Sequence, residues 1–304
     1  MRLSQRLLLF MLAASLLGGC AVLESKQSEW IFRPVRDNWR GYQGLPEGVE
    51  EVWIKVPAQA GVRAAAGGDS AGSERIHAWW MPQTGPAAAD APALLYLHGS
   101  RWNLTGSSFR IAKWREMGFS VLAIDYRGFG QSSGELPTEA KTYQDAALAW
   151  EWLKAKMPDP QRRYVYGHSL GGAVAIDLAA RLGPHEAAGL ITESTFTSVP
   201  DVVAASRYGW LPVGFLISQR FEALEKIKQV ALPKLFLHGT SDTVIPHAMS
   251  DELFKAAQEP KRLVKFAGAS HSGIAWAAPA EYVEVVRAFV ASTRARGPAA
   301  AHAR

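Results

Sequence analysis

The chain has 304 residues, 48% of them hydrophobic and 20% charged, which is enough apolar material for one large domain with a sizeable core. The formal charge is +5, but Arg2, Arg6, Arg294, Arg296 and Arg304 lie at the two ends, and the remainder is near neutral with no basic stripe interleaved with aromatics, so no nucleic-acid partner is expected. The single cysteine, Cys20, excludes an intramolecular disulfide, a cysteine metal cluster and a cysteine nucleophile within the folded domain.

At the N-terminus a basic stretch, Met1 to Arg6, precedes an apolar run, Leu7 to Leu17, that is too short to cross a bilayer as a stable helix. The pattern is that of a signal peptide over residues 1–19. It ends at Leu17-Gly18-Gly19-Cys20, which resembles the lipobox of bacterial lipoproteins. The resemblance implies acylation of Cys20 as the first mature residue. With Ala21 behind the cysteine, it also implies sorting to the outer membrane of a bacterial cell envelope, facing the periplasm. An ordinary signal peptide with an incidental cysteine, and an uncleaved membrane anchor, are the alternatives. Residues 20–48 then form a lipid-anchored tether whose Trp30, Phe32, Trp39 and Tyr42 fold back on the body.

Glu51–Val56 and Arg75–Trp80 are rich in β-formers and are expected to pair antiparallel across the Gly/Ala/Ser-rich stretch 59–73. Beyond them come short, mostly continuous apolar runs at Ala93–Leu97, Ser120–Ile124, Arg163–Tyr166, Gly189–Thr192, Lys234–Leu237 and Arg262–Phe266. Runs apolar on both faces are buried parallel strands. Helices are predicted between them over Phe109–Met117, Thr138–Ala155, Leu170–Leu182, His247–Ala257 and Pro279–Ala291. This alternation defines an α/β class: a mostly parallel, doubly wound central sheet with helices on both faces and ligand loops at the strand C-terminal ends. The domain covers 49–293. Within it 196–230 carries Tyr208, Trp210, Phe215 and Phe221 but no clear strand, and reads either as a small cap insertion over the site or as a longer packed connection. The tail, 294–304, has too little apolar bulk to pack and is expected to be disordered.

Gly167-His168-Ser169-Leu170-Gly171 is a G-x-S-x-G pentapeptide between a predicted strand and a predicted helix. In that context the glycines permit a sharp elbow that exposes the serine hydroxyl above the sheet, and the helix N-terminus offers amide N–H groups where negative charge would develop. A chain of this length holds such a motif by chance about 0.1 times, so its partners must decide. A serine nucleophile needs a base to take its proton and an acid to orient that base, in the chain order Ser, Asp or Glu, His. Asp242 follows the run Lys234–Leu237 and His271 follows Arg262–Phe266, each just past a strand. Glu193, behind an earlier strand, is the alternative acid, while His98, His168 and His238 abut strand ends and read as structural. The oxyanion hole is expected from the Leu170 N–H and the Ser100 N–H, with Arg101 as second choice to Ser100.

Five stretches together, His98-Gly99, Asp125-Tyr126-Arg127-Gly128-Phe129-Gly130-Gln131-Ser132-Ser133-Gly134, Gly167 to Gly172, Glu193 to Ser198 and His238 to Asp242, resemble the α/β-hydrolase superfamily, nearest its Bem46/ABHD13-like serine hydrolases. The similarity covers roughly Ala93 to Val290. It implies an α/β-hydrolase fold, a structural role for Asp125 and Arg127, and catalysis by Ser169, Asp242 and His271. Two departures concern the acyl pocket and the base loop: Ser100-Arg101-Trp102-Asn103 stands where the family tends to have N-x-G-N, and Ser272-Gly273 follows the histidine in place of Asn-Asp. The expected activity is hydrolysis of a small-molecule acyl substrate, first a carboxylic ester, then an acyl-peptide or a lipid, without metal or organic cofactor. A non-catalytic binding scaffold is the rival from another class.

Overall fold

The computed structural model describes residues 22–45, 47–57 and 74–295. Cys20, the signal peptide, the 59–73 stretch and residues 296–304 lie outside the described residues. Eight strands form one sheet: β1 Glu50–Lys55, β2 Arg75–Met81, β3 Ala93–Leu97, β4 Ser120–Ile124, β5 Arg163–His168, β6 Gly189–Glu193, β7 Lys234–Gly239 and β8 Lys261–Phe266. Their spatial order is β1-β2-β4-β3-β5-β6-β7-β8. The β1/β2 and β2/β4 pairs are antiparallel and all the others parallel.

The two-residue period of a strand explains how the sheet buries both faces. Leu95 and Leu97 of β3, Leu122 and Ile124 of β4 and Val165 of β5 join one apolar cluster, which also holds Trp150, Val174, Ile227 and Leu253. Those last four belong to helices α3 Glu139–Lys156, α4 Leu170–Arg181, α6 Ala223–Ile227 and α7 Ala248–Ala256, so these helices cover that face. The alternate residues Leu94, Tyr96, Val121, Ala123, Tyr164 and Tyr166 join the other cluster with Ile111, Trp114, Val286 and Phe289. That face is covered by α2 Leu104–Glu116 and α9 Pro279–Arg294.

Helix α2 begins five residues before the expected start at Phe109, because a local N-cap and a tertiary contact hold its first turn. Asn103 Oδ1 accepts from Gly106 N (3.1 Å), and Asp125 Oδ1 accepts from Leu104 N (2.8 Å). This is the structural duty that the resemblance implied for Asp125. Arg127 has a similar one, bonding Asp145 through its main-chain N–H (2.8 Å) and its Nε (2.7 Å). Helix α9 runs three residues past the expected Ala291, since Thr293 Oγ1 meets Tyr164 Oη at 2.6 Å and Arg294 Nη2 donates to Asp90 O at 2.8 Å.

Segment 196–230 contains α5 Val199–Ala205, a 3₁₀ turn Gly214–Leu216 and α6. It buries Phe196, Phe221 and Ile227 in the core but leaves Trp210 and Phe215 exposed. Within the expected tether, residues 22–32 form helix α1. Phe32 is fully buried and edge-on to Phe221, Trp39 stacks on Trp102 (4.5 Å), and Tyr42 stacks on Trp79 (5.7 Å), whereas Trp30 faces outward.

Candidate active site

The sheet places the site. β4 lies on one side of β3 and β5 on the other, so the crossovers from β3 and β5 diverge, leaving a crevice at the carboxyl ends of these strands. The turn after β3 carries Gly99 and Ser100, and the turn after β5 carries Ser169. Ser169 alone joins β5 to α4, at φ 55° and ψ −122°, a conformation that stores strain for a non-glycine residue. Its neighbours must be glycine for packing reasons: a Cβ on Gly167 would strike the Gly171 carbonyl, and one on Gly171 would strike the Leu97 carbonyl. Ser169 N–H is held by Glu193 O at 2.9 Å.

The acid and base loops are tied to each other before they meet the serine. Thr240 N–H donates to Phe266 O (2.9 Å) and Ser241 N–H to Ala269 O (3.0 Å). Across that seam Asp242 Oδ2 lies 2.7 Å from His271 Nδ1, and His271 Nε2 lies 3.0 Å from Ser169 Oγ. The structure thus brings together the three residues singled out from sequence, in a continuous hydrogen-bonded row. The carboxylate's other oxygen, Oδ1, accepts from Val244 N–H (2.8 Å) and Ile245 N–H (2.9 Å).

His238, read as structural, also reaches this carboxylate: its Nε2 lies 3.1 Å from Asp242 Oδ2 and 3.1 Å from Ile245 O. A carbonyl only accepts, so Nε2 carries the proton, and Nδ1 accepts from Ser250 Oγ. Burial opposes ionisation of Asp242, but the hydrogen bonds from His238 and His271 outweigh it and hold the carboxyl well below the usual carboxylate range.

Two side chains grip successive carbonyls of the base loop. His168 Nε2 donates to His271 O (3.1 Å), and Arg110 Nη2 donates to Ser272 O (2.6 Å). Burial, then the charges of Arg110 and His271, push His168 far below the ordinary histidine range, so it acts as a neutral donor. Arg110 is itself buried, with Nη1 2.6 Å from Glu193 Oε1, while Tyr166 and Tyr282 hydroxyls both donate to Glu193 Oε2 at 2.9 Å. Glu193, the alternative acid, is therefore committed to Arg110 and two tyrosines. Sequence reasoning gave Arg110 no role, because nothing in the local pattern around it points to a carboxylate 83 residues away.

Among the described residues the amides of Leu170 and Ser100 have no hydrogen-bond partner; Leu170 opens α4, where a helix leaves its first N–H groups unpaired. Arg101, the second choice to Ser100, donates its N–H to Phe32 O in the tether (2.8 Å). The serine faces a cleft of about 380 Å³, within the range of small-molecule sites, whose walls include Trp102, Phe109 and Val244 and whose charged lining groups are Arg101 and Arg110.

Comparison with known proteins agrees with this architecture. The family model described as serine aminopeptidase, S33, matches residues 90–221. The uncharacterized protein Rv2307c of Mycobacterium tuberculosis is 34% identical over 224 residues, 73% of this chain and 77% of that one. The lysophosphatidylserine lipase ABHD12 of Danio rerio is 34% identical over 192 residues, 57% of this chain and 49% of the relative. The solved esterase Pf2001 of Pyrococcus furiosus superposes with a TM-score of 0.64 at 20% identity, covering 86% of this chain and 97% of that one. With its sheet order, its elbow between β5 and α4 and a relative that aligns over 77% of its length, the chain belongs to the α/β-hydrolase superfamily of serine hydrolases.

Proposed function

We propose that this hydrolase is a carboxylesterase working through a Ser169-His271-Asp242 triad and an acyl-enzyme. The observation that carries the reading is the row Ser169 Oγ, His271 Nε2 and Nδ1, Asp242 Oδ2, with contacts of 3.0 and 2.7 Å, opening on an apolar-walled cleft. His271 Nε2 takes the Ser169 proton as Oγ attacks the ester carbonyl. The oxyanion that forms is held by the N–H groups of Leu170 and Ser100. Asp242 keeps the Nδ1 tautomer and stabilises the imidazolium. His271 then protonates the leaving alkoxide, and a water activated by the same imidazole hydrolyses the acyl-enzyme, returning the proton to Ser169. This cycle requires neither metal nor organic cofactor.

An aminopeptidase would have to neutralise the substrate's terminal ammonium. The cleft lining contains no carboxylate, and while Arg110 is paired with Glu193, Arg101 has no carboxylate partner among the described residues, which favours neutral or anionic acyl substrates over a free amine. Labelling with a fluorophosphonate probe tests the nucleophile: wild type labels and hydrolyses p-nitrophenyl esters, and Ser169→Ala does neither. An unlabelled wild type inactive across the ester panel would overturn the reading. Chain-length profiling then separates short-chain esters from lipid deacylation, the activity named for the ABHD12 relative.

The protein is further proposed to sit on the bacterial outer membrane through acylated Cys20, facing the periplasm. The basic start, the short apolar run and the single cysteine at its end support this. No helix among the described residues is long and apolar enough to cross a membrane. Cys20→Ser should move the protein to the soluble fraction.

A further inference from the structure

We propose that the surface formed by helix α1 and the turn-rich segment 207–216 lies against a phospholipid bilayer, alongside the entrance to the esterase cleft; the proposal rests on the reading of Cys20 as a membrane attachment. Large apolar side chains stand out on both pieces. Trp210 is 78% exposed, Phe215 80% and Trp30 70%, with Leu23 and Leu216 more than two-fifths exposed. A soluble surface scatters single apolar residues, but five on two neighbouring elements need an apolar partner.

Chain connectivity says what that partner is. Cys20 lies two residues before Val22, less than about 8 Å of chain, so a lipid on Cys20 puts the start of α1 at the membrane surface. Helix α1 cannot swing away from the body. Gln27 Nε2 donates to Leu216 O (2.8 Å), Gln27 Oε1 accepts from Ser218 N–H (2.8 Å), and Phe32 is buried. Whatever holds Cys20 at a bilayer therefore holds Leu216 and its neighbours near the same plane. Tryptophan, phenylalanine and leucine, with cations between them, are the residues that settle at a headgroup boundary. Arg33 and Arg207 supply the cations, and neither meets a carboxylate among the described residues.

The same segment leads to the site. Arg207, at its start, lines a second cleft together with Thr243 and Val244 of the acid loop, and Thr243 and Val244 also line the cleft in front of Ser169. A bilayer on this surface would place dissolved lipid esters beside the substrate entrance.

The test uses the full chain reconstituted into vesicles of phosphatidylcholine with 30 mol% phosphatidylglycerol. Brominated phosphatidylcholine should quench tryptophan emission in wild type, and Trp30→Phe with Trp210→Phe should remove most of that quenching although nine of the 11 tryptophans remain. Trp210→Asp with Phe215→Asp should slow hydrolysis of a vesicle-embedded p-nitrophenyl palmitate at least tenfold while leaving water-soluble p-nitrophenyl butyrate unchanged. Wild type that floats with vesicles but shows equal quenching with and without Trp30 and Trp210 overturns the membrane face alone. Wild type that does not float overturns the lipid attachment as well. Equal loss on both esters, or a dimer that the aspartates convert to a monomer, also overturns it, the latter by giving the face to a second copy of the chain.

Discussion

Arg110→Met isolates the buried charge pair behind the base loop. Glu193, wholly buried, would keep two tyrosine hydroxyls but lose the one cation that pairs with it among the described residues, and the Ser272 carbonyl would lose its donor. Breaking a buried pair by removing one partner costs about 3–5 kcal/mol. For a domain of this size each kcal/mol lowers the unfolding midpoint by about 2–4 °C, so the expected fall is about 6–20 °C. Glu193→Gln should fall by a comparable amount, since it strands a guanidinium. The double variant leaves no net charge in the site, and the side-chain amide oxygen that Glu193→Gln introduces still accepts from Tyr166 and Tyr282. Its loss should therefore be smaller than the two single losses together by at least about 2 kcal/mol. Urea unfolding of the four proteins, followed by circular dichroism with unchanged slopes, measures the coupling. Losses that add to within about 0.5 kcal/mol would refute the claim that these two charges stabilise each other.

Asp242→Asn offers His271 Nδ1 an amide that can donate, favouring the wrong tautomer, and kcat/KM for p-nitrophenyl butyrate should drop by about four decades; a drop under tenfold would separate Asp242 from the base. The same variant reports on acid stability. Asp242 titrates below its unfolded value, so its stabilisation is complete above about pH 4 and is lost as pH falls through the folded value; wild type should lose more stability than Asp242→Asn between pH 5 and pH 2 in urea titrations. His168→Phe deprives the His271 carbonyl of its donor at a cost of about 1–3 kcal/mol, and should lower kcat about ten- to a hundredfold with KM nearly constant; an unaltered kcat would remove His168 from the clamp. Burial depresses Lys234 to about 8, so its charged form strains the fold below that pH and stability should rise as pH goes from 8 to 9.5. Scanning calorimetry should show this rise in wild type and its absence in Lys234→Met.

All eight strands were legible because continuous apolar runs leave few other options, and their boundaries shifted by at most two residues where a flanking residue kept the ladder, as at His168 and Gly239. The start of α2 was not legible, since the residues after Asn103, Leu104 to Ser108, show no helical period, and the contact from Asp125 that fixes the first turn depends on the folded sheet. Helices α5, α6 and α8 (Ile274–Ala277) span seven, five and four residues, too short for a 3.6-residue period to emerge. The convergence of Ser169, Asp242 and His271 could be anticipated from chain order, because the topology of this sheet brings those three turns to one end. The clamp could not. Arg110 and Glu193 are 83 residues apart, and neither follows from a local pattern. His238 was visible four residues before Asp242, but only the i to i+4 geometry of the turn reveals that it shares the carboxylate with His271.

The bond from Arg101 N–H to Phe32 O gives the stalk a part in the catalytic body. Arg101 holds φ at 72°, next to the amide proposed to receive the oxyanion, and the adjoining Trp102 lies under Trp39 of the same stalk. A soluble version of the enzyme cut back to the first strand at Glu50 would discard both supports. If Cys20 carries the proposed lipid, a protease acting in the stalk would not simply liberate an active enzyme from it. It would free the turn that carries the proposed oxyanion amide, so release and loss of activity would be one event.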